Sequence, residues 1–101
     1  MSLPISFRYT IKKDIKNQVD ILIKQGRKPD RQAKNRWKFK NSSDWHYGYF
    51  VGMMMGLASS LYASKYGNSM TPEQMKGIEE LLEEYTKDLR EYFESFDNPV
   101  S

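Results

Sequence analysis

The stretch DWHYGYFVGMMMGLASSLY, Asp44 to Tyr62, decides how the chain is read. It carries Gly48, Gly52 and Gly56, and residues 45–64 hold no formal charge. Ser42 and Ser43 just before it are suitable N-caps, Asp44 suits the positive end of a helix dipole, and Gly67-Asn68 is a natural stop after Tyr66. These signals predict an apolar central helix over 44–66.

Twenty uncharged residues match the length of a membrane span. The composition argues against one, because glycines, serines and His46 dilute the strongly inserting Phe50, Val51, Leu57 and Leu61. A soluble helix that is apolar around its circumference is expected to be enclosed by protein. Two flanking helices cannot easily enclose it, so a second copy of the chain is the expected neighbour.

Glycine in a helix interior costs about 1 kcal/mol relative to alanine, so its repeated use needs a return, and close backbone approach supplies one. Gly48, Gly52, Gly56 and Ser60 recur every four residues and make a shallow groove for another helix at an inclined crossing. The competing reading is that the groove admits a helix of the same chain, beneath a large side chain such as Trp37. Met53, Met54 and Met55 point in three directions and read as core filler, not as a metal site.

Upstream, Ile5, Phe7, Tyr9 and Ile11 alternate with polar residues, the period of a half-buried strand, so 4–9 is expected to be extended. Ile11, Ile15, Val19, Leu22 and Ile23 then follow helical spacing, predicting a helix over 10–25 that stops at Gly26. Residues 27–43, RKPDRQAKNRWKFKNSS, form a basic connector of irregular structure. Its RWKFK run would place Trp37 and Phe39 on one side if extended, and a short β-ribbon with the N-terminal segment is expected there.

Downstream, TPEQ sets Thr71 as N-cap, Pro72 at the first helical position and Gln74 where a capping box places Glu or Gln. An amphipathic helix over 72–96 follows, ended by Pro99, with Met75, Ile78, Leu81, Leu82, Tyr85 and Leu89 on its apolar face. Within it Glu83 and Lys87 attract, whereas Glu80–Glu84 and Glu84–Asp88 repel. The fold expected is a single mainly α domain, 1–101: three helices with a C-terminal helical hairpin, dimeric through the central helix.

Charge divides the chain. Residues 1–50 hold twelve Lys or Arg against four Asp, net +8, and residues 51–101 hold four against nine acidic residues, net −5. Either the two halves neutralise each other or the basic half meets a polyanion. Arg27, Lys28, Arg31, Lys34, Arg36, Lys38 and Lys40 are the candidate phosphate contacts, with Trp37, Phe39, Trp45 or Tyr47 available to stack on unpaired bases.

With no cysteine, thiol catalysis, disulfides and cysteine-based metal sites are excluded. His46 is the only histidine and has no recognisable nucleophile motif beside it; the Glu residues of the last helix lack the Glu-x-x-His pattern of a carboxylate-bridged metal pair; no Gly-rich phosphate loop follows a strand. Met1-Ser2-Leu3-Pro4 lacks the layout of a secretion signal. The sequence is thus read as a cytoplasmic, non-enzymatic interaction or scaffold protein without a cofactor, acting as a homodimer with a possible protein partner. The alternative is a low-specificity nucleic-acid binder using 27–40.

Overall fold

The computed structural model describes residues 2–25 and 32–96. Among these the chain is helical throughout its regular structure: α1 (Ile5–Gln25), α2 (Ala33–Trp37), α3 (Ser42–Tyr66), α4 (Pro72–Glu83) and α5 (Thr86–Glu94). α1 packs on α3 and α4, and α3 on α4 and α5.

The N-terminal segment is the first departure from expectation. Residues 5–9 belong to α1, and no strand occurs among the described residues, so neither the extended 4–9 segment nor the β-ribbon forms. The buried residues Leu3, Phe7, Ile11, Ile15, Val19 and Leu22 are spaced four, four, four, four and three apart. Every second member of the Ile5–Ile11 alternation therefore lies on a helical stripe. Ile5 and Tyr9, which a strand would have buried with Phe7, stand 88% and 66% exposed. A lone strand here would leave its backbone groups unpaired, whereas the helix satisfies them internally.

α3 starts at Ser42, two residues earlier than expected, and its cap is Asn41 in place of Ser42 or Ser43. The Asp44 N–H donates to Asn41 Oδ1 at 2.9 Å, and Ser43 Oγ donates to the same oxygen at 2.9 Å. Gly67 closes the helix at φ 77°, its N–H donating to the Ala63 carbonyl at 2.8 Å, in a conformation that favours glycine.

The capping box at α4 forms as read. Gln74 N–H donates to Thr71 Oγ1 at 3.1 Å, and Thr71 N–H donates to Gln74 Oε1 at 2.9 Å. Gln74 is also 1% exposed, and its Nε2 donates to the Tyr62 hydroxyl at 3.0 Å and the Ser2 carbonyl at 3.3 Å. One buried amide thereby ties the start of α4 to the end of α3 and to the N-terminal segment.

The expected helix over 72–96 is broken in two. Residues 84 and 85 form a tight turn in which the Tyr85 N–H donates to the Leu82 carbonyl at 3.0 Å and Tyr85 takes φ −106°, ψ 9°. No proline or glycine stands there; the break coincides with the like-charge row Glu80, Glu84 and Asp88, which a continuous helix would hold together. Beyond the turn, α5 lays Leu89 and Phe93 against the first half of α3, Phe93 lying 6.3 Å from the Phe50 ring and 6.1 Å from that of Tyr47. The stops expected at Gly26 and Pro99 lie outside the described residues.

The single core is a seam of α1, α3 and α4 side chains continued by α5. Tyr62→Phe removes one acceptor of the buried Gln74 amide and is expected to lower stability by about 1 kcal/mol, whereas Ile78→Ala, at a fully buried position, is expected to cost about 2–5 kcal/mol. Urea unfolding that leaves the Tyr62→Phe midpoint unmoved would remove this amide from the account of how α3 and α4 are joined. The Tyr85 phenol is held above its ordinary value by burial first and then by Glu84, Asp20 and Asp88. A raised native value means that its contribution is complete below the unfolded value of about 10 and is lost as pH rises through the native one. Tyr85→Phe should flatten the loss of stability above about pH 10, read by thermal unfolding in alkaline buffers.

Candidate functional site

α3 has two unlike sides. Phe50, Met54, Ala58 and Tyr62 are buried in the seam. On the other side Tyr49, Met53, Leu57 and Leu61 remain 59%, 44%, 39% and 38% exposed. The expectation of an enclosed central helix is therefore corrected within the chain. The molecule measures 48 × 26 × 18 Å, and with helices about 10–12 Å across its thinnest dimension holds two layers. In two layers a helix can be covered on one side only.

The predicted interface residues Gly48, Gly52, Gly56 and Ser60 all fall on the exposed side. A Cβ built on Gly48, Gly52 or Gly56 meets no atom within 4 Å. The reading in which these glycines admit another helix of the same chain is thereby excluded among the described residues. By contrast, a Cβ on Gly77 would come within 3.1 Å of Leu3 Cδ1, so among the described residues the close approach made through a glycine is the one in α4.

Sequence reasoning missed the exposed ridge. Its signal lies in the pairs Gly48-Tyr49, Gly52-Met53, Gly56-Leu57 and Ser60-Leu61, a small residue followed by a large one at every fourth position. Residues three apart are neighbours on a helix surface, so Tyr49 lies beside Gly52, Met53 beside Gly56 and Leu57 beside Ser60. The row of small residues and the row of large ones thus run side by side.

Of the predicted polyanion contacts, Arg27, Lys28 and Arg31 lie outside the described residues. The connector that was expected to be irregular contains α2, a single turn with Lys34, Arg36 and Trp37, capped by Lys38 in the left-handed region at φ 58°. Lys34, Arg36, Lys38 and Lys40 are exposed, and Trp37 is 62% exposed. The acidic α4 packs on α1 and α3; Arg8 of α1 shares a shallow hollow with Glu73 and Glu80 of α4.

The other aromatic candidates have partners inside the chain. Phe39 stacks on Trp45 at 4.8 Å, Trp45 on Tyr49 at 5.3 Å, and Tyr47 lies under the Arg90 guanidinium at 4.5 Å. Arg90 also pairs with Asp44 at the start of α3, an exposed bridge of small energetic weight. His46 is half-buried, its ring meeting Phe96 edge-on at 5.0 Å. Its Nδ1 lies 2.8 Å from the Ser42 carbonyl, which can only accept, so Nδ1 is the donor of this hydrogen bond.

Among the described residues no group of three His, Asp or Glu side chains converges as a metal site, and no helix is long and apolar enough to cross a membrane. Known protein families, curated proteins and solved structures give no match to this chain.

Because nothing opposes a side chain at the notches, Gly52→Ala is expected to stabilise the isolated chain by about 1 kcal/mol, the difference in helix propensity. Chemical unfolding at high dilution measures it, and a loss of stability there would mean that something in the chain occupies the notch.

Proposed function

We propose that the chain is a non-enzymatic interaction module that works as a homodimer through the exposed face of α3. The observation that carries this reading is the pairing of an open row, Gly48, Gly52, Gly56 and Ser60, with the apolar ridge Tyr49, Met53, Leu57 and Leu61 on one helix. A partner of different structure would need both a ridge for the groove and a groove for the ridge. A second copy brings both, since a two-fold axis sets each ridge into the other's groove, as an isologous interface requires. The face also lacks charge over 45–64, so nothing repels an identical surface.

A second reading, low-specificity binding of single-stranded nucleic acid, is favoured by the exposed Trp37 among Lys34, Arg36, Lys38 and Lys40. Aromatic stacking with salt-sensitive phosphate contacts would be its mechanism. It has less behind it, because Phe39, Trp45 and Tyr47 already stack within the chain.

A single helix crossing buries less than a standard interface of about 1,600 Å², so association is expected in the micromolar range, at about 1–100 µM. Sedimentation across that range should show a monomer–dimer equilibrium, abolished by Gly52→Leu and by Leu57→Lys with helix content retained. A parent that stays monomeric, or variants that dimerise as well as the parent, would sink the proposal. For the second reading, an oligonucleotide should bind with an affinity that falls steeply with salt and on replacing Arg36, Lys38 and Lys40 by glutamine; absence of binding at low salt refutes it.

A further inference from the structure

The outer face of α1 takes no part in the core. At 3.6 residues per turn, the buried stripe from Phe7 to Leu22 occupies about a third of the helix circumference. Another third, centred about 140° away, carries Ile5, Tyr9 and Ile23 together with Lys12, Lys13, Lys16 and Lys24. All seven are exposed, and Ile5 and Tyr9 are the two most exposed large apolar side chains among the described residues. The ammonium groups of Lys12, Lys16 and Lys24 have no ion-pair or hydrogen-bond partner there, and Asp20 is the one carboxylate in this sector of α1.

We propose that this face of α1 adsorbs to the surface of an anionic lipid bilayer, Ile5 and Tyr9 entering the interface while the lysines lie against the charged headgroups.

The two kinds of side chain call for two kinds of contact at once. Exposed lysines gain from any polyanion. Ile5 and Ile23, however, gain nothing from a phosphodiester backbone, and Tyr9, with the Lys13 ammonium 5.8 Å over its ring, is a single aromatic where platforms for unpaired bases use several. An acidic protein would need a pocket shaped to Ile5. An anionic bilayer offers fixed charge above apolar chains and has no shape to match. Tyrosine rings favour the headgroup level, and lysine stems lie along apolar surface while their ammonium groups stay in water. From Ile5 to Ile23 the row is about 27 Å long on one side of one helix, so a flat surface can touch both ends. A helix of this kind lies on a membrane without crossing it. The α3 ridge is a different surface, so this inference stands apart from the homodimer reading.

Co-sedimentation of the full chain with vesicles tests it. The chain should pellet with phosphatidylcholine vesicles that contain phosphatidylserine and stay in solution with phosphatidylcholine alone, and raising the salt about tenfold should release it. Lys12→Gln with Lys16→Gln should lower the partition coefficient about 25-fold, at about fivefold per lysine. Ile5→Gln with Tyr9→Gln, which leaves every charge in place, should lower it about tenfold. All four positions are exposed, and circular dichroism checks that helix content is kept. Arg36→Gln with Lys38→Gln, in the connector, should weaken binding less than the α1 lysine pair does. Failure to pellet with the anionic vesicles at low salt, equal binding to both kinds of vesicle, or a greater loss from the connector pair would overturn the proposal. So would a loss confined to the lysine variant, which would mean that any polyanion serves, or tighter binding of a single-stranded oligonucleotide or polyglutamate that displaces the chain from the vesicles.

Discussion

The molecule depends on one seam into which α1 and α3 each send every fourth residue. Phe7, Ile11 and Ile15 on one helix and Met54, Ala58 and Tyr62 on the other belong to the same buried cluster, closed by Ile78, Leu81 and Leu82 of α4. Stripes of four-residue spacing drift around a helix, so such helices cross at an angle and each covers only part of the other's length. The Phe7 ring meets Tyr62 edge-on at 5.3 Å and Tyr66 at 5.9 Å, fixing the start of α1 over the end of α3. The first half of α3 is left for α5. Narrow stripes build a thin molecule, and a thin molecule leaves one side of its most apolar helix uncovered.

How much of this was legible depends on how local each signal is. Thr71, Pro72 and Gln74 could be read because a capping box involves four consecutive residues, and Gly67 because a left-handed stop is a property of one. Ile5 to Ile11 misled because period two and a four-residue helical step share every second position; only the continuation back to Leu3 and on to Ile15 separates them. The break at Glu84 and Tyr85 is foreshadowed by Glu80, Glu84 and Asp88, yet repulsion of a few tenths of a kcal/mol per pair does not say whether a helix bends or endures it. The core stripes were legible as hydrophobic residues but not by side: around α3 all sides are apolar, and which one is buried is settled by the neighbours. Trp37 and Trp45 carried the same ambiguity, since an aromatic beside lysines reads alike whether it stacks inward or faces water.

Buried polar groups show the opposite economy from the exposed apolar ones. No buried side-chain nitrogen or oxygen lacks a hydrogen-bond partner among the described residues, and Gln74 satisfies its amide on three sides while sealed from water. Leaving such a group unpaired would cost about 1–3 kcal/mol, a large part of the stability of a domain this small. The interior is thus resolved in detail. The same chain leaves Tyr49, Met53, Leu57 and Leu61 in water, although lysines would be tolerated there without loss to its own core. Single exposed apolar residues are ordinary. Four in register beside three open glycines are a contiguous feature, and contiguous apolar surface is where association is sought.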